Sequence, residues 1–241
     1  MMVRLLVSVR DVGEALCAAQ AGADLIDLKE PADGALGALP VERIAAIVTA
    51  LRAQHPTVRI SATVGDLGPG ERAEILARVQ RVAACGVDDV KVGLWPASHA
   101  QTAALLDALA SCRASIVPVL VADAGIDAAR VEQILRRRAF PALMVDTAGK
   151  QAGSLLQRVP LASVANFVAA VRLHGALAGL AGSLRLQDAD ALRALAPDFA
   201  GFRGALTVGA RDAALDPRLV RQLRRRLAPR AEVHAPLPAR A

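Results

Sequence analysis

AGADLIDLKEP, residues 21–31, and CGVDDVKVGLW, residues 85–95, decide the fold. Each begins with a glycine placed to end a helix in the left-handed conformation, continues into an apolar run of strand length, and reaches a lysine where that run meets a loop. His174-Gly175-Ala176 opens a third segment in the same way.

Outward from these segments, short β-branched runs alternate with longer Ala/Leu/Arg stretches of helical period, the pattern of βα units on a parallel sheet. Strands are predicted at Val3–Val9, Asp24–Lys29, Val58–Val64, Asp89–Leu94, Ser115–Val121, Ala142–Asp146, Ala176–Gly182 and Asp198–Arg203. Helices are predicted at Val12–Ala21, Pro40–Gln54, Gly70–Ala84, Ser98–Ser111, Ala128–Arg138, Leu161–His174, Gln187–Ala196 and Pro217–Leu227. Consecutive right-handed crossovers without a marked edge strand favour a closed (βα)8 TIM barrel over an open doubly wound sheet. One domain over residues 1–227 is expected, followed by a proline-bearing tail over 228–241.

The composition excludes several classes. Aromatic residues make up 2% of the chain and tyrosine is absent, so the net charge of +6 lacks the stacking surfaces that nucleic-acid binding uses. Arg136–Arg138 and Arg224–Arg226 lie on amphipathic helices and read as solvated faces. Apolar runs are too short to cross a membrane, and Met1–Val9 reads as a first strand instead of a signal peptide, which implies the cytoplasm. Cys17, Cys85 and Cys112 are far apart in sequence and expected to be buried reduced thiols. His55, His99, His174 and His234 show no metal-ligand spacing, so neither a metal nor a cofactor is expected. The oligomeric state is open and compatible with a homo-oligomer.

Only three of the 29 cationic side chains are lysines, and Lys29, Lys91 and Lys150 all fall at predicted strand ends or just beyond them. An ε-amine can lose its proton and attack a carbonyl, whereas a guanidinium stays charged. An unperturbed amine of pKa 10.4 is neutral in only about one molecule in 2,500 at pH 7, so desolvation or a second cation is needed to prepare it. In a barrel the active site lies at the C-terminal ends of the strands. Asp27 and Lys29 share one side of the second strand, Lys91 takes the matching place on the fourth, and Asp146 ends the sixth, so these residues are expected to converge across the mouth. A plain structural ion pair is the competing use of Asp27 and Lys29. Lys150, four residues beyond Asp146, is placed to reach back over the site.

Gly182 and Ser183 after the seventh strand, with Arg203 and Gly204 after the eighth, occupy the usual barrel site for a phosphate group. Asp66 follows the third strand and Asp123 the fifth, each readable as a proton carrier or a helix cap.

Taken in order, Asp27-Leu28-Lys29-Glu30-Pro31 with Gly34-Ala35-Leu36-Gly37-Ala38, Ser61 to Asp66, Lys91-Val92-Gly93-Leu94, Asp146-Thr147-Ala148 with Lys150, Leu180 to Ser183 and Arg203-Gly204 resemble the (5-formylfuran-3-yl)methyl phosphate synthases. The resemblance implies a class I aldolase-like barrel that condenses two glyceraldehyde 3-phosphate molecules, with loss of phosphate and water, on the route to methanofuran or a related one-carbon carrier. It implies that Lys29 forms a Schiff base with a triose phosphate, that Lys91 accepts a proton, and that Asp27, Asp146 and Lys150 support proton transfers. Two other readings stay open on the residues alone. One is a different Schiff-base aldolase or phosphosugar isomerase on the same barrel, and the other is a non-catalytic protein that binds phosphorylated ligands.

Overall fold

The computed structural model describes residues 2–149, 152–209 and 213–229. Eight strands alternate with helices: β1 (Arg4–Val9), α1 (Val12–Gln20), β2 (Leu25–Leu28), α2 (Val41–Gln54), β3 (Arg59–Thr63), α3 (Arg72–Ala83), β4 (Asp89–Leu94) and α4 (His99–Ala110) form the first half. The second half is β5 (Ile116–Val121), α5 (Ala128–Leu135), β6 (Ala142–Asp146), α6 (Leu155–Arg158), α7 (Leu161–Leu173), β7 (Leu177–Leu180), α8 (Ala189–Leu195), β8 (Phe199–Phe202) and α9 (Pro217–Leu227). All strands pair in parallel, and β1 bonds to both β2 and β8, so the sheet closes into a (βα)8 barrel.

Closure follows from the apolar pattern. Strand residues pointing outward, such as Leu5, Ile26, Ile60, Val90, Leu143 and Ala200, pack with the inner helix faces into one continuous core. Residues of the opposite parity, Leu6, Leu25, Val117, Val119, Ala142, Met144, Ala181 and Phe199, form a separate cluster that fills the barrel itself. No strand is left with an open edge, which removes the doubly wound alternative.

Helix-end glycines behave as their sequence context requires: Gly22, Gly86 and Gly175 have φ of 97°, 84° and 77°, turning the chain from helix to strand. The short helix α6 is an addition to the expected set. The helical period of the sixth unit starts at Leu161, and Pro160 separates α6 from α7 as a break in that period. The three cysteines are partly buried and unpaired, and burial raises the pKa of each thiol. No helix among the described residues is long and apolar enough to cross a membrane. Of the expected tail, only Ala228 and Pro229 lie within the described residues.

The filled interior leaves little room. A Cβ on Gly179 would stand 2.3 Å from two ring carbons of Phe199, which is buried inside the barrel. Gly179→Ala is therefore expected to cost about 1–3 kcal/mol by overpacking and to lower Tm by several degrees in calorimetry; an unchanged Tm would mean that the Phe199 ring rotates aside freely.

Candidate active site

The C-terminal mouth of the barrel holds a cavity of about 490 Å³, to which Ser8, Asp27, Lys29, Lys91, Asp146 and Arg203 contribute side chains. All six are buried, although five of them carry charge. Strand pleating places them: Asp27 and Lys91 lie on β2 and β4 with inward parity, Lys29 follows the end of β2, and Asp146 is the last residue of β6.

Two amine–carboxylate contacts organise the site, and both run across the barrel instead of along a strand. Lys91 Nζ stands 2.9 Å from Asp27 Oδ1, and Lys29 Nζ stands 3.7 Å from Asp146 Oδ2. The competing pairing of Asp27 with Lys29 along β2 is not the one formed. Ser61 Oγ donates to Asp27 Oδ1 at 2.6 Å, and Ser8 Oγ donates weakly to Oδ2 at 3.4 Å. Asp27 is thus supplied with neighbours from β1, β3 and β4. The contact of Lys91 with Asp27 is close in distance but lies outside hydrogen-bond geometry, so the amine has no hydrogen-bond partner among the described residues. Lys29 Nζ donates to the carbonyl of Ala35 at 3.1 Å.

In the same cavity, after β7, Gly182 (φ 111°) and Ser183 (φ 48°) are consecutive residues with positive φ. A left-handed serine carries a conformational cost, and such costs concentrate where a backbone is held for a purpose. Gly204 opens a short 3-10 turn, Gly204–Leu206, and both it and Ser183 line the cavity. Arg203 lines the cavity as well, with its guanidinium held by Glu14: Nη1 lies 2.5 Å from Oε2 and Nη2 lies 3.0 Å from Oε1. It also donates to the carbonyls of Ser8 and Ala213. Lys150 lies outside the described residues.

Asp66 and Asp123 neither cap helices nor point into the cavity. Asp66 accepts from the backbone N–H groups of Ala35 and Leu36, each at 2.8 Å. Asp123 accepts from Ala148 and Gly149 at 2.6 and 2.8 Å and pairs with Arg158 at 2.9 Å. Although partial burial raises the pKa of Asp123, those backbone bonds and the guanidinium outweigh it and hold the carboxyl below its ordinary value. The two carboxylates therefore grip the loops that follow β2 and β6. Glu14 and Ser61 were the residues whose roles the sequence reading missed. Ser61 shares inward parity with Asp27, which was the available signal, while Glu14 gave none. Among the described residues no group of three or more His, Cys, Asp or Glu side chains could hold a metal.

A family model described as 4-HFC-P synthase matches residues 5–224. The chain is 43% identical over 203 residues to a Methylorubrum extorquens protein provisionally named (5-formylfuran-3-yl)methyl phosphate synthase, covering 84% of this chain and 82% of that one. It is 34% identical over 216 residues to the (5-formylfuran-3-yl)methyl phosphate synthase of Methanopyrus kandleri, covering 84% and 88%. Among solved structures, phosphoribosylanthranilate isomerase from Thermotoga maritima superposes with a TM-score of 0.64 at 16% identity, covering 94% of this chain and 98% of that one. 3-Hexulose-6-phosphate synthase from Salmonella typhimurium gives 0.62 at 19%, covering 93% and 98%. At such identities these two likenesses speak for the barrel alone.

Proposed function

The chain belongs to the 4-HFC-P synthase family and is an enzyme; from that premise we propose that it condenses two glyceraldehyde 3-phosphate molecules into (5-formylfuran-3-yl)methyl phosphate, releasing phosphate and water, through a Schiff base on Lys29. The observation that carries the proposal is the pair of buried amines, each beside a carboxylate from another strand and both lining one cavity.

The neutral amine of Lys29 attacks the carbonyl carbon of the first triose, and water leaves as the imine forms. The protonated imine draws electrons from the adjacent carbon, whose proton passes to Lys91. The resulting enamine carbon attacks the aldehyde of the second triose, forming the new carbon–carbon bond. Asp146 stands beside Lys29 to exchange protons as water is lost, and Asp27 does the same for Lys91. Elimination of one phosphate and ring closure with loss of water then give the furan, and as oxygen replaces nitrogen at the imine carbon the carbon–nitrogen bond breaks and the Lys29 amine is freed. Lys150 serves the later proton transfers.

The phosphate retained in the product is assigned to the backbone amides of Gly182, Ser183 and Gly204, with Arg203 as the charge behind them. These groups line the same cavity as Lys29, which supports the reading.

Borohydride added during turnover of glyceraldehyde 3-phosphate, followed by peptide mass mapping, should find the reduced adduct on Lys29. In its absence, the reaction should gain near-ultraviolet absorbance as the furan aldehyde forms. Substrate consumption with a flat spectrum would point to an aldol or isomerisation product instead. Salt-sensitive binding without turnover would leave a binding protein.

A further inference from the structure

The loop between β2 and α2 does not stand away from the barrel. Ala35 and Leu36 are both buried and join the cluster that fills the interior. Three polar attachments hold the loop down: Glu30 N–H to the Gly37 carbonyl at 2.9 Å, Thr63 Oγ1 to the same carbonyl at 2.8 Å, and the Asp66 carboxylate to Ala35 and Leu36 N–H. Gly34 approaches Asp66 so closely that a Cβ there would lie 2.0 Å from Oδ2. The loop sequence is therefore fitted to the carboxylate.

Leu36 N–H and the Ala35 carbonyl belong to one peptide group. That group is trans, as are all peptide bonds among the described residues, so its N–H and C=O point in opposite directions. On one side Asp66 Oδ1 takes the N–H at 2.8 Å; on the other, the carbonyl accepts from Lys29 Nζ at 3.1 Å. Rotation of this plane would break both bonds together. A carboxylate on the N–H also polarises the amide and makes its carbonyl a stronger acceptor.

We infer that Asp66 is a positioning residue for Lys29, acting through the planar peptide group between Ala35 and Leu36. Asp66 itself is exposed at the rim and does not line the cavity, so its effect on the amine passes through the backbone. The inference deepens the Schiff-base reading, giving the Lys29 amine a fixed direction beside Asp146. Asparagine at this position keeps one acceptor oxygen but turns an NH2 toward the other N–H, so one charge-assisted bond is lost and the plane is freed.

The chain's three lysines make the test direct. Limited reductive methylation with formaldehyde and cyanoborohydride, read by peptide mapping, gives the relative reactivity of Lys29 and Lys91 in the folded protein. Asp66→Asn is expected to change the Lys29 rate about fivefold or more, with Lys91 within about twofold of its original rate, as one charge-assisted hydrogen bond allows. In turnover, kcat should fall on the order of tenfold with KM little changed, and Asp66→Glu, which keeps the charge with displaced oxygens, should lie between. A general loosening would move both lysines and lower Tm instead, and would overturn the inference, as would an unchanged Lys29-to-Lys91 ratio in a folded variant. Should Asp66→Asn fail to fold, the same ratio measured in Asp66→Glu decides. The methylation arm needs no triose phosphate, so absence of furan synthesis in the unsubstituted enzyme would remove the proposed function and leave this result standing.

Discussion

Lys29→Arg should eliminate furan synthesis, by about 10³-fold or more in kcat, while the barrel melts near its original temperature. Arginine keeps the positive charge next to Asp146 and can still donate to the Ala35 carbonyl, so the ionic surroundings of residue 29 survive. What disappears is the capacity to be a neutral nucleophile, since a guanidinium stays protonated throughout the working pH range. The substitution thus separates the amine's chemistry from its charge, which alanine would not do. Turnover and circular dichroism on the same preparation check it. Measurable activity in an intact barrel would move the nucleophile to Lys91, and borohydride trapping in the variant would then label that residue.

The largest loss of stability is expected at Arg203. Its guanidinium and the Glu14 carboxylate are both buried and meet through two hydrogen bonds. Arg203→Ala leaves the buried carboxylate only Arg10, whose Nε lies 3.3 Å from Oε1 and whose backbone N–H donates to Oε2 at 3.1 Å, so the loss falls toward the lower end of the about 3–5 kcal/mol that breaking a buried pair costs and should lower Tm by roughly five to ten degrees for a chain of this size. Glu14→Gln leaves the arginine charged and still hydrogen-bonded through the amide oxygen, so it should cost less. KM for glyceraldehyde 3-phosphate then separates the uses of Arg203. If the guanidinium contributes to the phosphate site, Arg203→Ala raises KM about tenfold or more, and Glu14→Gln raises it little. Equal KM values in both variants, with melting temperatures lowered, would make Arg203 a purely structural partner of Glu14 and leave the phosphate to the amides of Gly182, Ser183 and Gly204.

The barrel was legible in the sequence because its determinants are local. A helix-ending glycine, an apolar run of strand length and a polar residue at the strand end recur along the chain, and each is set by a few neighbouring residues. The positions of Lys29, Lys91, Asp27 and Asp146 at the mouth followed from strand parity. Their partners did not. Asp27 and Lys29 are two residues apart and share a face, yet each meets a charge from a distant strand, because barrel shear and side-chain reach decide contacts that spacing leaves open. Glu14 and Arg203 are 189 residues apart and meet because β1 closes against β8. The roles of Asp66 and Asp123 were out of reach for another reason. Both act on backbone N–H groups, which every residue but proline carries, so no side-chain pattern marks what they bind.

The sole tryptophan, Trp95, packs against the interior cluster that includes Ala35 and Leu36, and its Nε1 stands where a Cβ on Gly93 would crowd it at 3.0 Å. With no tyrosine in the chain, its intrinsic fluorescence arises almost wholly from one indole, seated beside the loop that Asp66 fastens. The emission of the whole molecule is in effect a local gauge, set against that loop and read without a label.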